Sequence, residues 1–96
     1  MSSEERYYVA IHSAHLNRYM DNRREGSEET LKDVLSPGIR SYYALEIVGP
    51  GPLQSQTFGS ELDMTRQKRA RAAREFGIPE GVLKIVHESV HAEVID

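Results

Sequence analysis

Residues 82–95 read Val82-Leu83-Lys84-Ile85-Val86-His87-Glu88-Ser89-Val90-His91-Ala92-Glu93-Val94-Ile95, and two incompatible patterns overlap in them. β-branched residues dominate, as in a strand, while Val82, Val86, Val90 and Val94 recur every fourth position, as on one face of a helix. The choice matters because His87-Glu88-Ser89-Val90-His91 spells HExxH. On a helix, imidazoles four positions apart lie ~6 Å from one another and can hold one Zn²⁺ while Glu88 activates its water. On a strand the same histidines stand ~13 Å apart and share no ion.

The uncharged Ile85, Val86 and Ala92 resemble the helices of zinc metallopeptidases locally. Glu93 departs from that pattern, because it is charged where those helices are apolar, and only Ala92 to Asp96 follow to supply a third ligand. The β-branched content predicts that Val82 to Ile95 is extended and pairs with the first or second strand, which disfavours a metal or any other cofactor. The alternative is a zinc hydrolase with Glu88 catalytic, His87 and His91 as ligands, and His12 or His15 completing the site. His12 and His15 lie three apart, so on a strand they face opposite ways and only one could take part.

Working back from this segment, Ser60, Glu61 and Asp63 open a run of good helix formers that continues to Phe76 and stops at Gly77-Ile78-Pro79. Leu62, Ala70, Ala73 and Phe76 are candidates for its inner face. The clearest strand is 39–48, closed by Gly49-Pro50-Gly51-Pro52, with a short edge strand expected at Leu53 to Phe58. A short helix is predicted from Ser27 as N-cap, with Leu31, Val34 and Leu35 as its apolar stripe and Pro37-Gly38 as its end. Asp21 to Gly26 reads as a polar turn, and 6–12 as a first strand running on through Leu16 to Met20. The order β-α-β-(β)-α-β predicts a small single α+β domain over 1–96, with two helices on one face of an antiparallel sheet, compatible with a split βαβ or ferredoxin-like arrangement. Such a fold hosts many functions and selects none.

The 96 residues suffice for one modest core, and association with a partner or as a homodimer would add to it. There are no cysteines, so disulfides, thiolate metal sites and thiol catalysis are excluded. No stretch approaches the ~20 apolar residues of a membrane span, and no apolar leader follows Met1, so a cytoplasmic address is expected. A net charge of −3 argues against general polyanion binding by the whole chain.

Charge is unevenly distributed all the same. Arg66, Lys68, Arg69, Arg71 and Arg74 make a basic run on the long helix, able to engage phosphates or an acidic surface unless Glu61, Asp63 and Glu75 quench it. Within 66–90, Ala73, Gly77, Ile78, Leu83 and Val86 have the spacing of a helix-turn-helix, which makes a DNA-binding regulator an alternative. Its second helix would offer only Lys84 to a phosphate. Tyr7 with Tyr8, and Tyr42 with Tyr43, form adjacent pairs on expected strands. Alternation sends one ring of each pair inward and one outward, and an outward tyrosine is a good interface anchor.

Ser13-Ala14-His15-Leu16-Asn17, followed by Tyr19-Met20, resembles a stretch near the N-terminus of a small phage-encoded anti-CRISPR family that inhibits the type I-F surveillance complex. The resemblance covers about ten residues. It implies an inhibitor that binds a host protein or protein–nucleic-acid complex without catalysis or cofactor. The residues themselves lead to the same expectation: a non-enzymatic interaction protein whose outward tyrosines and helix charges meet a macromolecular partner.

Overall fold

A computed structural model describes residues 5–46 and 61–96. The first strand, β1 (Arg6–His12), leads into helix α1 (Ser13–Tyr19), then a single 3₁₀ turn (Leu31–Val34), β2 (Leu35–Pro37) and β3 (Tyr42–Leu45). Helix α2 (Glu61–Phe76), a second 3₁₀ turn (Glu80–Val82), β4 (Leu83–Glu88) and β5 (Ala92–Val94) complete the order. The strands form one antiparallel sheet in the order β2-β3-β1-β4-β5. Each helical connection joins strands two places apart, so β1 lies at the centre.

Strand alternation separates two cores. Val9, Ile11, Leu45 and Leu83 face the helices and pack with Ala72, Phe76, Ile78, Leu31 and Val34, against which Leu16 and Tyr19 of α1 also rest. On the opposite, open face Tyr8, Ala10, Ala44 and Val86 cluster with Ile39, Tyr42 and Ala92. The β2–β3 turn folds over that face. Gly38 permits the approach, because a Cβ there would lie 3.0 Å from the Tyr42 carbonyl and 3.4 Å from the Tyr8 hydroxyl.

Helix α2 forms where its capping acids and helix formers predict, and it ends where Gly77 takes φ +66 and Ile78 N–H reaches back to the Ala73 carbonyl. Two other expectations are corrected. The first strand does not run on to Met20: Ser13 to Arg18 contains no β-branched residue, and the His12 imidazole caps a helix by accepting from Ala14 N–H at 2.9 Å. The helix expected from Ser27 does not form. The Ser27 hydroxyl instead accepts from Glu29 N–H two residues on, Gly26 takes φ +76, and a Thr30–Asp33 capping box opens only the 3₁₀ turn. Pro37 keeps Ser36 out of the α region, so the chain leaves that turn extended. The apolar stripe is nonetheless placed inward, with Leu31 and Val34 buried. Strand 39–48 is shorter than expected where described, and the edge strand expected at 53–58 lies outside the described residues, as does Ser60.

The segment expected to be one extended strand over 82–95 is a hairpin of two strands, Leu83–Glu88 and Ala92–Val94, with Val82 still in the 3₁₀ turn. β4 pairs with β1, and β5 folds back on β4 with Val86 opposite Val94. The valine period of four reflects mirror symmetry about Val90 at the hairpin tip.

Candidate interaction surface

The hairpin disposes of the HExxH geometry. His87 lies on β4 opposite Tyr7 of β1, while His91 sits in the turn. The His87 ring stacks on Tyr7 at 4.6 Å, and its Nε2 lies 3.5 Å from a Glu5 carboxylate oxygen without forming a hydrogen bond. Glu88 points to the open face, 3.5 Å from Arg6. The helix that would put both imidazoles on one ion is therefore absent. His12 and His15 cannot complete a site either: His12 lies five residues along β1 from Tyr7, hence ~16 Å from the His87 register. Their rings are 6.5 Å apart at the far end of the sheet, where His12 also meets Tyr42 edge-on at 4.9 Å. Among the described residues no three His, Asp or Glu side chains gather around a possible ion position.

The helix-turn-helix expectation is also corrected. Its second helix would need Leu83 and Val86, and both lie buried in the centre of the sheet on β4. Only three residues, Glu80–Val82, turn helically after Gly77.

The basic run on α2 is largely engaged within the molecule. Arg66 pairs with Asp63 and Asp96, Arg69 with Glu80 and Asp96, and Arg71 with Glu75 at 3.2 Å. The Arg66 and Arg69 guanidiniums hold the Asp96 carboxyl below the usual range. Lys68 and Arg74 have no such pair among the described residues; Lys68 lines a cavity of about 210 Å³ between α2 and β1, together with Tyr7. The strongest charge cluster was not singled out by the sequence. Arg24, from the loop before β2, donates to Glu75 at 2.6 Å and to Glu29 at 2.9 Å, and these bonds push its guanidinium pKa up and that of Glu75 down. Asn22 adds a bond to the Phe76 carbonyl at 2.8 Å. This cluster clamps the loop onto the end of α2 and is structural.

The tyrosines alternate between the two faces, but only the second pair leaves a ring exposed. Tyr8 is buried under Arg6, whose guanidinium lies 4.6 Å from the ring, and burial pushes its pKa up. Tyr7 and Tyr42 are half-buried, and Tyr43 is exposed. The most exposed large apolar side chains lie elsewhere. Val90, Val94 and Ile95 are 84%, 37% and 40% exposed, so three of the four such residues among those described fall on the last hairpin and its outer strand. Single exposed apolar residues mean little, but here they recur along one short segment, at the tip and at the outer strand and its end, where an edge is open to a partner. Sequence reasoning missed it because it treated 82–95 as one strand, which hides both tip and edge.

Fold and surface thus define an α+β domain with an exposed apolar hairpin at one edge of its sheet. No family model, curated protein or solved structure matches the chain. No helix among the described residues is long and apolar enough to cross a membrane.

Proposed function

We propose that this protein is a non-enzymatic binding module that docks a macromolecular partner through its C-terminal hairpin. The observation that supports this reading is that exposed Val90, Val94 and Ile95 all fall in the segment from the hairpin tip to the end of the outer strand. Leaving that surface in water is unfavourable by ~25 cal/mol for each Å² a partner could cover. The resemblance at Ser13–Met20 makes a type I-F CRISPR surveillance complex the first partner to try, with inhibition of its DNA access as the activity; that segment forms α1, which has no fully buried residue.

Immobilised wild-type protein should retain a purified partner complex, and the Val90→Ser, Val94→Ser double variant should retain it at least tenfold less. Its melting temperature should change little, since both side chains are exposed. Tyr43→Ala tests the opposite end of the sheet. If the Tyr43 variant loses retention and the double variant keeps it, the partner docks there and the hairpin assignment fails.

A further inference from the structure

The hydrogen bonds around the last hairpin fix which backbone groups of β5 are not used by β4 or by any other described residue. Ser89 N–H donates to the His91 carbonyl and Ile95 N–H to the Ile85 carbonyl. The odd-numbered pairs are therefore the bonded ones, and by the alternation of an antiparallel ladder Val86/Val94 and Glu88/Ala92 are not. The N–H and C=O of Ala92 and Val94 consequently point away from β4. Ile85 N–H donates to the Asp96 carbonyl while Ile85 C=O accepts from Ile95 N–H, so two residues oppose one there. This bulge ends the usable edge.

The edge is set against pairing with a second copy. Antiparallel self-pairing that joins Ala92 to Val94 in both directions satisfies all the outward groups, but it places Glu93 directly opposite Glu93 of the other copy. That close, non-bonded position makes like charges repel. Placing Val94 opposite Val94 avoids the clash and leaves only that pair bonded, because the Asp96 carbonyl is already taken. A foreign strand with a cation at the same place turns the repulsion into attraction, and the net charge of −3 draws a basic segment in the same sense.

We infer that the β5 edge binds an extended segment of a partner protein by strand addition, with a lysine or arginine opposite Glu93 and apolar residues opposite Ala92 and Val94. This rests on the binding-module reading and specifies the partner's chemistry. Main-chain bonds from Ala92 and Val94 supply the common part of the affinity, and the side chains set specificity. On the open face the partner's apolar side chains meet Val94 and a shallow depression of about 450 Å³ lined in part by Arg6, Glu88, Val90 and Ala92.

The test is a titration of ¹⁵N-labelled protein with Ac-Thr-Val-Lys-Val-Thr-NH₂ and with the same peptide carrying glutamate in place of lysine. Saturable shifts centred on the Ala92 and Val94 amides are expected, at least tenfold tighter for the lysine peptide at low salt and less selective at high salt. Val94→Pro removes an outward N–H that β4 does not use and should abolish binding. Glu93→Lys should invert the preference, which keeps the test decisive should the proline variant unfold. No localised shift up to about 5 mM peptide, or equal binding of both peptides, overturns the inference. That outcome leaves the binding-module reading standing, since retention of a partner complex and its loss in the double serine variant are measured separately.

Discussion

Strands β2 and β5 are both three-residue outer strands, yet they close the sheet by different chemistry. In β2, Gly38 N–H donates to the Tyr42 carbonyl and Glu46 N–H to the Val34 carbonyl, so even positions bond inward and Leu35 and Pro37 turn outward. Proline has no N–H, and one of the two outward donors is missing by covalent structure. In β5 both outward donors are intact, and Glu93 alone carries charge between them. A missing donor refuses every strand alike. A carboxylate refuses acidic strands and its own copy while admitting a basic one, so one edge is closed and the other selective.

The comparison breaks most severely where the support beneath β5 is removed. Ile85 is fully buried and its backbone holds both Ile95 and Asp96. Ile85→Ala should cost about 2–5 kcal/mol in urea denaturation, as a large-to-small core change does. Leu35→Ala, at a half-buried position on β2, should cost clearly less. Equal losses would mean that both edges rest on the same core and the contrast is superficial.

The next largest effect concerns how each side is anchored to α2. The loop leading to β2 is held by the partly buried Arg24–Glu75–Glu29 cluster, whereas the end of β5 is held by Asp96 on Arg66 and Arg69 at 3.3 Å in an exposed setting. Arg24→Ala should lower stability by about 1.5–3 kcal/mol, the range for hydrogen bonds to charged groups. Asp96→Asn should lower it less, and added salt should erase the difference between wild type and variant.

Both anchors depend on pH in the same direction. Glu75 and Asp96 have carboxyl pKa values depressed by their arginine partners, so the unfolded chain binds protons more readily than the folded one. Their contribution is fully present above the ordinary carboxylate range of about 4 and is lost as pH falls through the folded values. The urea midpoint should be level from neutral pH to about 5 and should fall below about 4. In Arg24→Ala that acid-limb decline should flatten more than in Asp96→Asn. The reverse order would show the exposed anchor to be the stronger.

Much of this contrast was illegible in the sequence, for physical reasons that differ by element. β1 and α2 could be read directly, since aromatic and β-branched residues in 6–12 and capping acids followed by helix formers from 61 onward state their preferences locally. The hairpin 83–94 could not, because Ser89-Val90-His91 contains no glycine, proline or asparagine to announce a turn, and strand pairing with β1 decides the register. The segment from Ser27 was read as a helix with Ser27 as N-cap, but the capping box forms three residues on at Thr30–Asp33, and how far a helix ran past it depended on Pro37 and on β3. The Arg24 cluster joins residues 51 apart and leaves no local trace. The tyrosine pairs announced which faces alternate but not exposure: Tyr7 is half-buried against His87 and Tyr8 is buried, so only Tyr43 is left outside.

The smallest effect on stability, and the sharpest on the comparison, belongs to Pro37→Val. The substitution restores the outward N–H that β2 lacks without touching a bond to β3, because position 37 faces away from it. Folding stability should fall by only about 0.5–1 kcal/mol, chiefly from the added freedom of the unfolded chain. The consequence for association should be larger. With Leu35 and the new residue both offering a donor and an acceptor, and no charge of their own, the β2 edge becomes a strand that another copy can extend, and sedimentation should show concentration-dependent dimers absent from wild type. Adding Ser36→Lys to Pro37→Val restores the donor together with a charge at position 36, which faces position 36 of the second copy when residues 35 and 37 pair in both directions, as Glu93 faces Glu93 on β5. That variant should stay monomeric. If Pro37→Val and the Ser36→Lys, Pro37→Val double variant associate equally, or neither does, charge is not what distinguishes a selective edge from an open one, and the role assigned to Glu93 on β5 loses its parallel on β2.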